Sequence, residues 1–202
     1  ATEYGMKSLR LAQETLNRRL ETRILNILSV IYAESENLGA ALEMGLKVVQ
    51  NQRELGNLQG ESVALNNLAL TYLDMGDGEK ALSTCWSSLR IARENDLEVV
   101  EITVLCSLGE IYIGIQDLVN AEKTLLETLA RTRERGLGSD EFQCLYHLGR
   151  AYLQLGKDDE AIQYLQDGLS LSRTSNDRRG EYLCHQLLTE IFEKKKDFET
   201  AL

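Results

Sequence analysis

Proline is absent from the 202-residue chain, where ordinary usage of about 5% would place roughly ten. That absence excludes proline-rich linkers, collagen-like segments and most turn-dense β folds. No uncharged apolar run approaches the roughly 18 residues of a membrane span, and no secretory signal pattern opens the sequence. Basic side chains are scarce: 22 Lys and Arg stand against 32 Asp and Glu, a net charge of −10. This is the wrong sign for neutralising phosphates, so neither nucleic acid nor an anionic membrane surface is expected as a partner. The deficit is even, with 10 basic and 14 acidic residues in 1–100 and 12 and 18 in 101–202, and it reads as a solvated surface. Four cysteines (Cys85, Cys106, Cys144 and Cys184) form no CxxC pair and interleave with no histidine at zinc-ligand spacing. Each falls inside an apolar helical pattern. They are expected to be small buried hydrophobes in a reducing compartment, which makes the cytoplasm the expected location and leaves no metal or cofactor to invoke. With 43% hydrophobic residues the chain is too apolar for a disordered polyelectrolyte. What remains is an acidic, all-helical protein.

The strongest positive signal is internal repetition. At an offset of 40 residues, Leu28, Leu68, Leu108, Leu148 and Leu188 share one phase. Tyr32, Tyr72, Tyr112, Tyr152 and Phe192 share a second, and Ala1, Ala41, Ala81, Ala121, Ala161 and Ala201 a third. Each period reads as two helices, A and B. Leu65, Leu68, Ala69 and Tyr72 lie at i, i+3, i+4, i+7 on one face of helix A. Gly76-Asp77 and Gly156-Lys157 mark a helix stop and a short turn. Helix B follows, with Ala81, Trp86 and Leu89 expected on its inner face. Gly56, Asp96, Gly136 and Asn176 share the phase that closes helix B and suit a left-handed cap. A small residue (Ser29, Ala69, Gly109, Gly149, Thr189) follows each phase leucine and lets a neighbouring helix approach closely.

The leucine, small residue and tyrosine of helix A, followed nine residues on by the alanine of helix B, resemble the tetratricopeptide repeat. "NLALTYLDMGDGEKAL", "SLGEIYIGIQDLVNAE", "HLGRAYLQLGKDDEAI" and "LLTEIFEKKKDFETAL" carry the likeness most clearly, and it covers essentially the whole chain. It implies an all-α fold: a right-handed α-solenoid of antiparallel helix pairs, about ten helices in all. The period of 40 exceeds the usual family length of about 34, and the six extra residues are expected between helix B and the next helix A. The proline that commonly ends helix B is missing from every copy. The frequent early tryptophan is replaced by Leu25, Leu65, Leu105 and Leu145, and by His185 in the last copy. The phase map divides one solenoid into residues 1–19 (a helix B), full repeats at 20–59, 60–99, 100–139 and 140–179, and an incomplete repeat at 180–202. With no natural end at either side, the chain is expected to be a piece of a longer protein, leaving Ile191 and Phe192 exposed.

No enzymatic constellation emerges. His185 falls in a core phase, no Ser/His/Asp or Cys/His pair follows from helical spacing, and the glycines form neither a P-loop nor a dinucleotide fingerprint. The resemblance instead assigns a concave binding face to helix A. Mapped onto this sequence, that face includes Arg23, Asn26 and Ile27, then Val63, Asn66, Asn67 and Leu70, then Cys106, Ser107 and Glu110. Tyr146, His147 and Arg150 follow, then Gln186. Asparagine offers both a donor and an acceptor to an extended peptide backbone, so Asn26, Asn66 and Asn67 lead this set, joined by Tyr146, His147 and Arg150. Family members that clamp chaperone tails need Lys and Asn in one copy, Asn in the next, and Lys and Arg in the third. Only Asn67 and isolated Arg23 or Arg150 could serve here, which disfavours that ligand.

The expected function is a non-enzymatic protein-interaction scaffold for a peptide or helix of mixed or mildly basic character. A regulatory or sensory segment controlling an attached output domain is the alternative. A third possibility is homo-oligomerisation through exposed end helices.

Overall fold

The computed structural model describes the backbone of residues 2–201 and the side chains of 2–194. The phase positions Ala1 and Ala201 lie outside the described side chains. Among the described residues there are ten α-helices and no strand. They are α1 (Thr2–Glu14), α2 (Arg18–Glu34), α3 (Leu38–Glu54), α4 (Leu58–Asp74) and α5 (Gly78–Glu94), then α6 (Glu98–Gly114), α7 (Leu118–Arg135), α8 (Gly138–Gln154), α9 (Asp158–Ser175) and α10 (Arg178–Ala201). Even-numbered helices are the A helices of the repeat and odd-numbered ones the B helices. No linker of six residues separates a helix B from the next helix A. Each link is two or three residues long, and the extra length of the period has gone into the helices themselves.

The links are chemically alike. A left-handed residue recurs every twenty positions, at Leu16, Glu36, Gly56, Gly76, Asp96, Gln116, Gly136, Gly156 and Asn176. It turns the chain back on itself without proline. The next residue often caps the following helix: the side chains of Asn17, Asn37, Asn57, Asp77 and Asp117 each accept a hydrogen bond from a backbone N–H three residues on. Four of the five B-to-A links also carry a charged latch that the sequence pattern did not bring out. Arg53 pairs with Glu61 at 2.6 Å, Arg93 with Glu101 at 3.0 Å, Arg133 with Glu141 at 2.9 Å and Arg173 with Glu181 at 3.8 Å. In the first copy Gln13 donates to Glu21 instead. Exposed pairs of this kind contribute about 0.2–1 kcal/mol. Arg133→Ala is therefore expected to lower stability by about 0.5 kcal/mol in dilute buffer, and less in strong salt. Urea titrations at two ionic strengths would read the difference.

The helices fall into two compact units, residues 1–107 and 108–202, with the boundary inside α6. In the first unit Leu25, Leu28, Met44, Val48, Leu65 and Leu68 make a buried cluster, with Tyr32 and Tyr72 packed against it. Between α4 and α5 the backbones come close enough for a reciprocal exchange: Ser62 Oγ donates to the Ser88 carbonyl and Ser88 Oγ to the Ser62 carbonyl, at 3.0 and 2.7 Å. Trp86 does not join this packing. It is 44% exposed, and Cys85, one residue earlier, takes the inner position beside Leu89, because Ala81, Cys85, Ser88 and Ala92 form the close-packed stripe of α5.

In the second unit the phase leucines Leu108 and Leu148 are buried with Ile111, Leu125, Leu145 and Leu165. The small phase does specific work here. A Cβ at Gly109 would lie 2.4 Å from Leu125, and one at Gly149 would lie 2.7 Å from Leu165. Two expectations for α10 change. Ile191 is fully buried, on the face α10 packs against its neighbours, whereas Phe192 is exposed as expected. His185 occupies a core phase yet is exposed, because no described helix covers that flank of α10.

Candidate functional site

In the first unit, α2 and α4 hold the side chains assigned to a binding face. Arg23, Ile27 and Val63 are exposed, while Asn26, Asn67 and Leu70 are half-buried. Asn67 Nδ2 donates to Asn26 Oδ1 at 3.4 Å, linking two successive A helices. Asn66 differs from its neighbour. Only 5% of it is exposed, and its Nδ2 donates to Ser107 Oγ at 3.0 Å. Its buried Oδ1 has no hydrogen-bond partner among the described residues. Helical geometry explains the split, since successive residues point about 100° apart: Asn66 faces α6 while Asn67 faces outward. Ser107 and Cys106, assigned to the same face by phase, are also buried. A cavity of about 590 Å³ opens between α2, α3 and the start of α4. Arg19, Arg23, Asn26, Ile27, Leu55 and Val63 line it, over a floor that includes Val48 and Ala64.

In the second unit a cavity of about 630 Å³ is lined by Phe142, Tyr146, His147 and Arg150 of α8, by Glu110 of α6 and by Leu183 of α10. Phe142 and Tyr146 stack with ring centroids 6.1 Å apart, Tyr146 meets His147 edge-on at 5.5 Å, and the Arg150 guanidinium sits 5.9 Å from the Tyr146 ring centre. Arg150 bonds Glu110 Oε1 at 3.3 Å and approaches His147 Nδ1 at 3.4 Å, and His147 Nε2 lies 3.6 Å from Glu110 Oε2. Arginine can only donate, so Nδ1 is the acceptor and the imidazole proton sits on Nε2, facing Glu110. His147 is 4% exposed. Burial, aided by the charge of Arg150 and opposed by that of Glu110, pushes its pKa down to about 4. It is a neutral wedge at neutral pH, not a base. Burial raises the Tyr146 hydroxyl above its ordinary value. Gln186 stands apart, exposed on α10 in a shallower depression with Tyr182 and His185.

Arg19 and Phe142 complete the two cavities and were missed by phase reasoning. Arg19 precedes the first assigned position of helix A. Phe142 fills a phase that other copies give to Thr22, Ser62 and Ile102. All four cysteines are buried and unbridged. Burial pushes the Cys85 thiol up to about 12 and the Cys184 thiol up to about 11, so neither supplies a thiolate at neutral pH. Among the described residues no group of three His, Cys, Asp or Glu could hold a metal ion, and no helix is long and apolar enough to cross a membrane.

Comparison with known proteins places this architecture. Two family models, both described as tetratricopeptide repeat, match residues 63–95 and 100–174. The chain belongs to the tetratricopeptide repeat family. Among solved structures, NprR in complex with its cognate peptide NprX superposes with a TM-score of 0.78 at 21% identity, covering 98% of this chain and 57% of that one. Aspartyl phosphate phosphatase F from Bacillus subtilis gives a TM-score of 0.70 at 15% identity, with coverages of 98% and 58%. A signal-transduction ATPase with a tetratricopeptide repeat sensor, from Pyrococcus horikoshii, gives 0.68 at 21%, covering 88% of this chain and 28% of that one. At these identities the likeness establishes the fold. No curated protein sequence gives a significant match.

Proposed function

We propose that the chain is a non-enzymatic interaction scaffold that holds a peptide or helix against the exposed side chains of its A helices. One observation carries this reading. In both units a cavity of several hundred Å³ is lined largely by helix A residues, with polar side chains set among apolar ones. That combination suits side-chain recognition at little ordering cost to the receptor. Asn26 and Asn67 supply amide groups for a peptide backbone, with Leu70 beside them. Arg23, Tyr146, Arg150, Glu110 and Gln186 supply side-chain contacts. Asn66 and His147 act from beneath, positioning the exposed groups. The structure of NprR supports the reading by analogy, since that protein, 57% of which matches this fold, is in complex with its cognate peptide NprX. Nucleic acid and membrane surfaces are outside the proposal.

A second reading, a sensor segment governing an output domain on the same polypeptide, draws on the Pyrococcus horikoshii ATPase, of which the matched region forms 28%. The two separate on what surrounds the segment in its native gene.

The scaffold reading is tested by proteome pull-down with variants. Asn67→Ala with Tyr146→Ala is expected to remove the principal bound protein, about a tenfold loss or more for two contact residues. Trp86→Ser, on the exposed side of α5, is expected to leave it unchanged. The reverse pattern would move the site away from the A helices.

A further inference from the structure

Seven of the fourteen arginines of this chain are matched to named acids. Arg18 pairs with Glu54, Arg90 with Glu94 and Arg150 with Glu110, in addition to the four latches between repeats. Arg19 and Arg23 form no ion pair or side-chain hydrogen bond among the described residues. They lie four residues apart on α2, so both face the same cavity, and the lining of that cavity contains no acidic residue at all. Two like charges at this spacing repel by a few tenths of a kcal/mol in an isolated helix. Here they persist in a protein of net charge −10, where nearby acids (Glu21, Glu54, Glu61) are engaged by other partners. Next to them stand the exposed aliphatic side chains Ile27 and Val63.

We propose that this cavity is a subsite for an acidic residue of a bound peptide, with Arg19 and Arg23 forking its carboxylate while a neighbouring aliphatic side chain lies on Ile27 and Val63. The inference rests on the peptide-binding reading above and gives that peptide a polarity. The site recognises an Asp or Glu side chain beside Leu, Ile or Val in a segment that runs through the cavity. Guanidinium groups suit this task because they present paired donors matched to carboxylate geometry. It lies outside the chaperone-tail clamp, since Arg19 falls before the family's groove positions and no lysine lines the cavity.

The test is a positional-scanning library of N-acetylated, C-amidated peptides, offered to the whole chain and to an Arg19→Ala/Arg23→Ala variant. The wild type is expected to enrich Asp or Glu adjacent to an aliphatic residue. The double variant should lose that preference, with affinity for the enriched peptide falling at least about tenfold, the loss expected for a charge-assisted pair. Arg19→Glu/Arg23→Glu should instead enrich Lys or Arg at the same position. Both arginines are exposed, so far-ultraviolet circular dichroism should show each variant folded. Retention of peptides without any acidic preference would overturn this subsite and leave peptide binding standing. A parallel library left with free C-termini separates the two sources of a carboxylate: retention only of those peptides would overturn the side-chain assignment. Retention of no peptide would overturn both readings.

Discussion

Gly149→Val should destabilise the protein by about 3 kcal/mol, the upper part of the range for overpacking a filled core, measured as a shift in the urea midpoint. A β-carbon there meets Cγ and Cδ2 of Leu165 at 2.7 Å, closer than real Cβ contacts come, and Leu165 is itself fully buried among its neighbours, so it cannot swing out into solvent. The informative comparison is the alanine series. In an open helical site Gly→Ala stabilises by up to about 1 kcal/mol through propensity alone. At Gly39 or Gly138, in the first turns of α3 and α8, where an added Cβ would meet nothing within 4 Å, a smaller gain of the same sign should appear. At Gly149 it should be reversed, and pairing Gly149→Ala with Leu165→Ala should recover part of the loss to steric conflict, though not the loss of the leucine. A stabilising Gly149→Ala would mean that α8 and α9 are not held at the separation described.

Acidification should weaken the second unit through His147. Its pKa is about 4 in the folded state, against an ordinary value of about 6.5. The folded form therefore binds a proton less readily than the unfolded chain, and the contribution is fully present above about pH 6.5. It falls away between that value and about 4, where both forms are protonated. A difference of this size corresponds to roughly 3 kcal/mol. Stability measured by denaturant titration at neutral pH and near pH 4 should fall by about that amount from this group. His147→Gln, which keeps an uncharged donor and acceptor, should flatten that part of the profile while costing something at neutral pH. An unchanged pH profile in the variant would show that the histidine is hydrated in solution.

Much of this fold was legible in the sequence because the packing repeats. Leu28, Leu68, Leu108 and Leu148 are buried alike, and the left-handed residues fall where Gly56, Asp96, Gly136 and Asn176 suggested. What phase could not resolve was one-residue direction on a helix. Trp86, expected on the inner face with Ala81 and Leu89, points outward, because the stripe of α5 belongs to smaller residues, with Cys85 in the inner position. Asn66 and Asn67 looked equivalent in one dimension, but one is locked beneath the surface by Ser107 and the other reaches Asn26. Arg19 was invisible for a different reason. Its significance comes from the acids that are missing around it, and a missing partner leaves no mark on a sequence pattern.

The two periodicities of the chain differ, and this bears on how such an array could change its length. Turn chemistry recurs every twenty residues, with a left-handed residue at each link. The leucine, tyrosine and alanine phases recur every forty. Unequal crossing-over that removed a single helix would join two perfectly serviceable turns, and nothing local would register the error. The fault would surface only in three dimensions, as an alanine face set against a surface shaped for tyrosine. Selection therefore sees gains and losses in whole pairs, and each surviving pair brings with it the arginine and glutamate that fasten it to its neighbours.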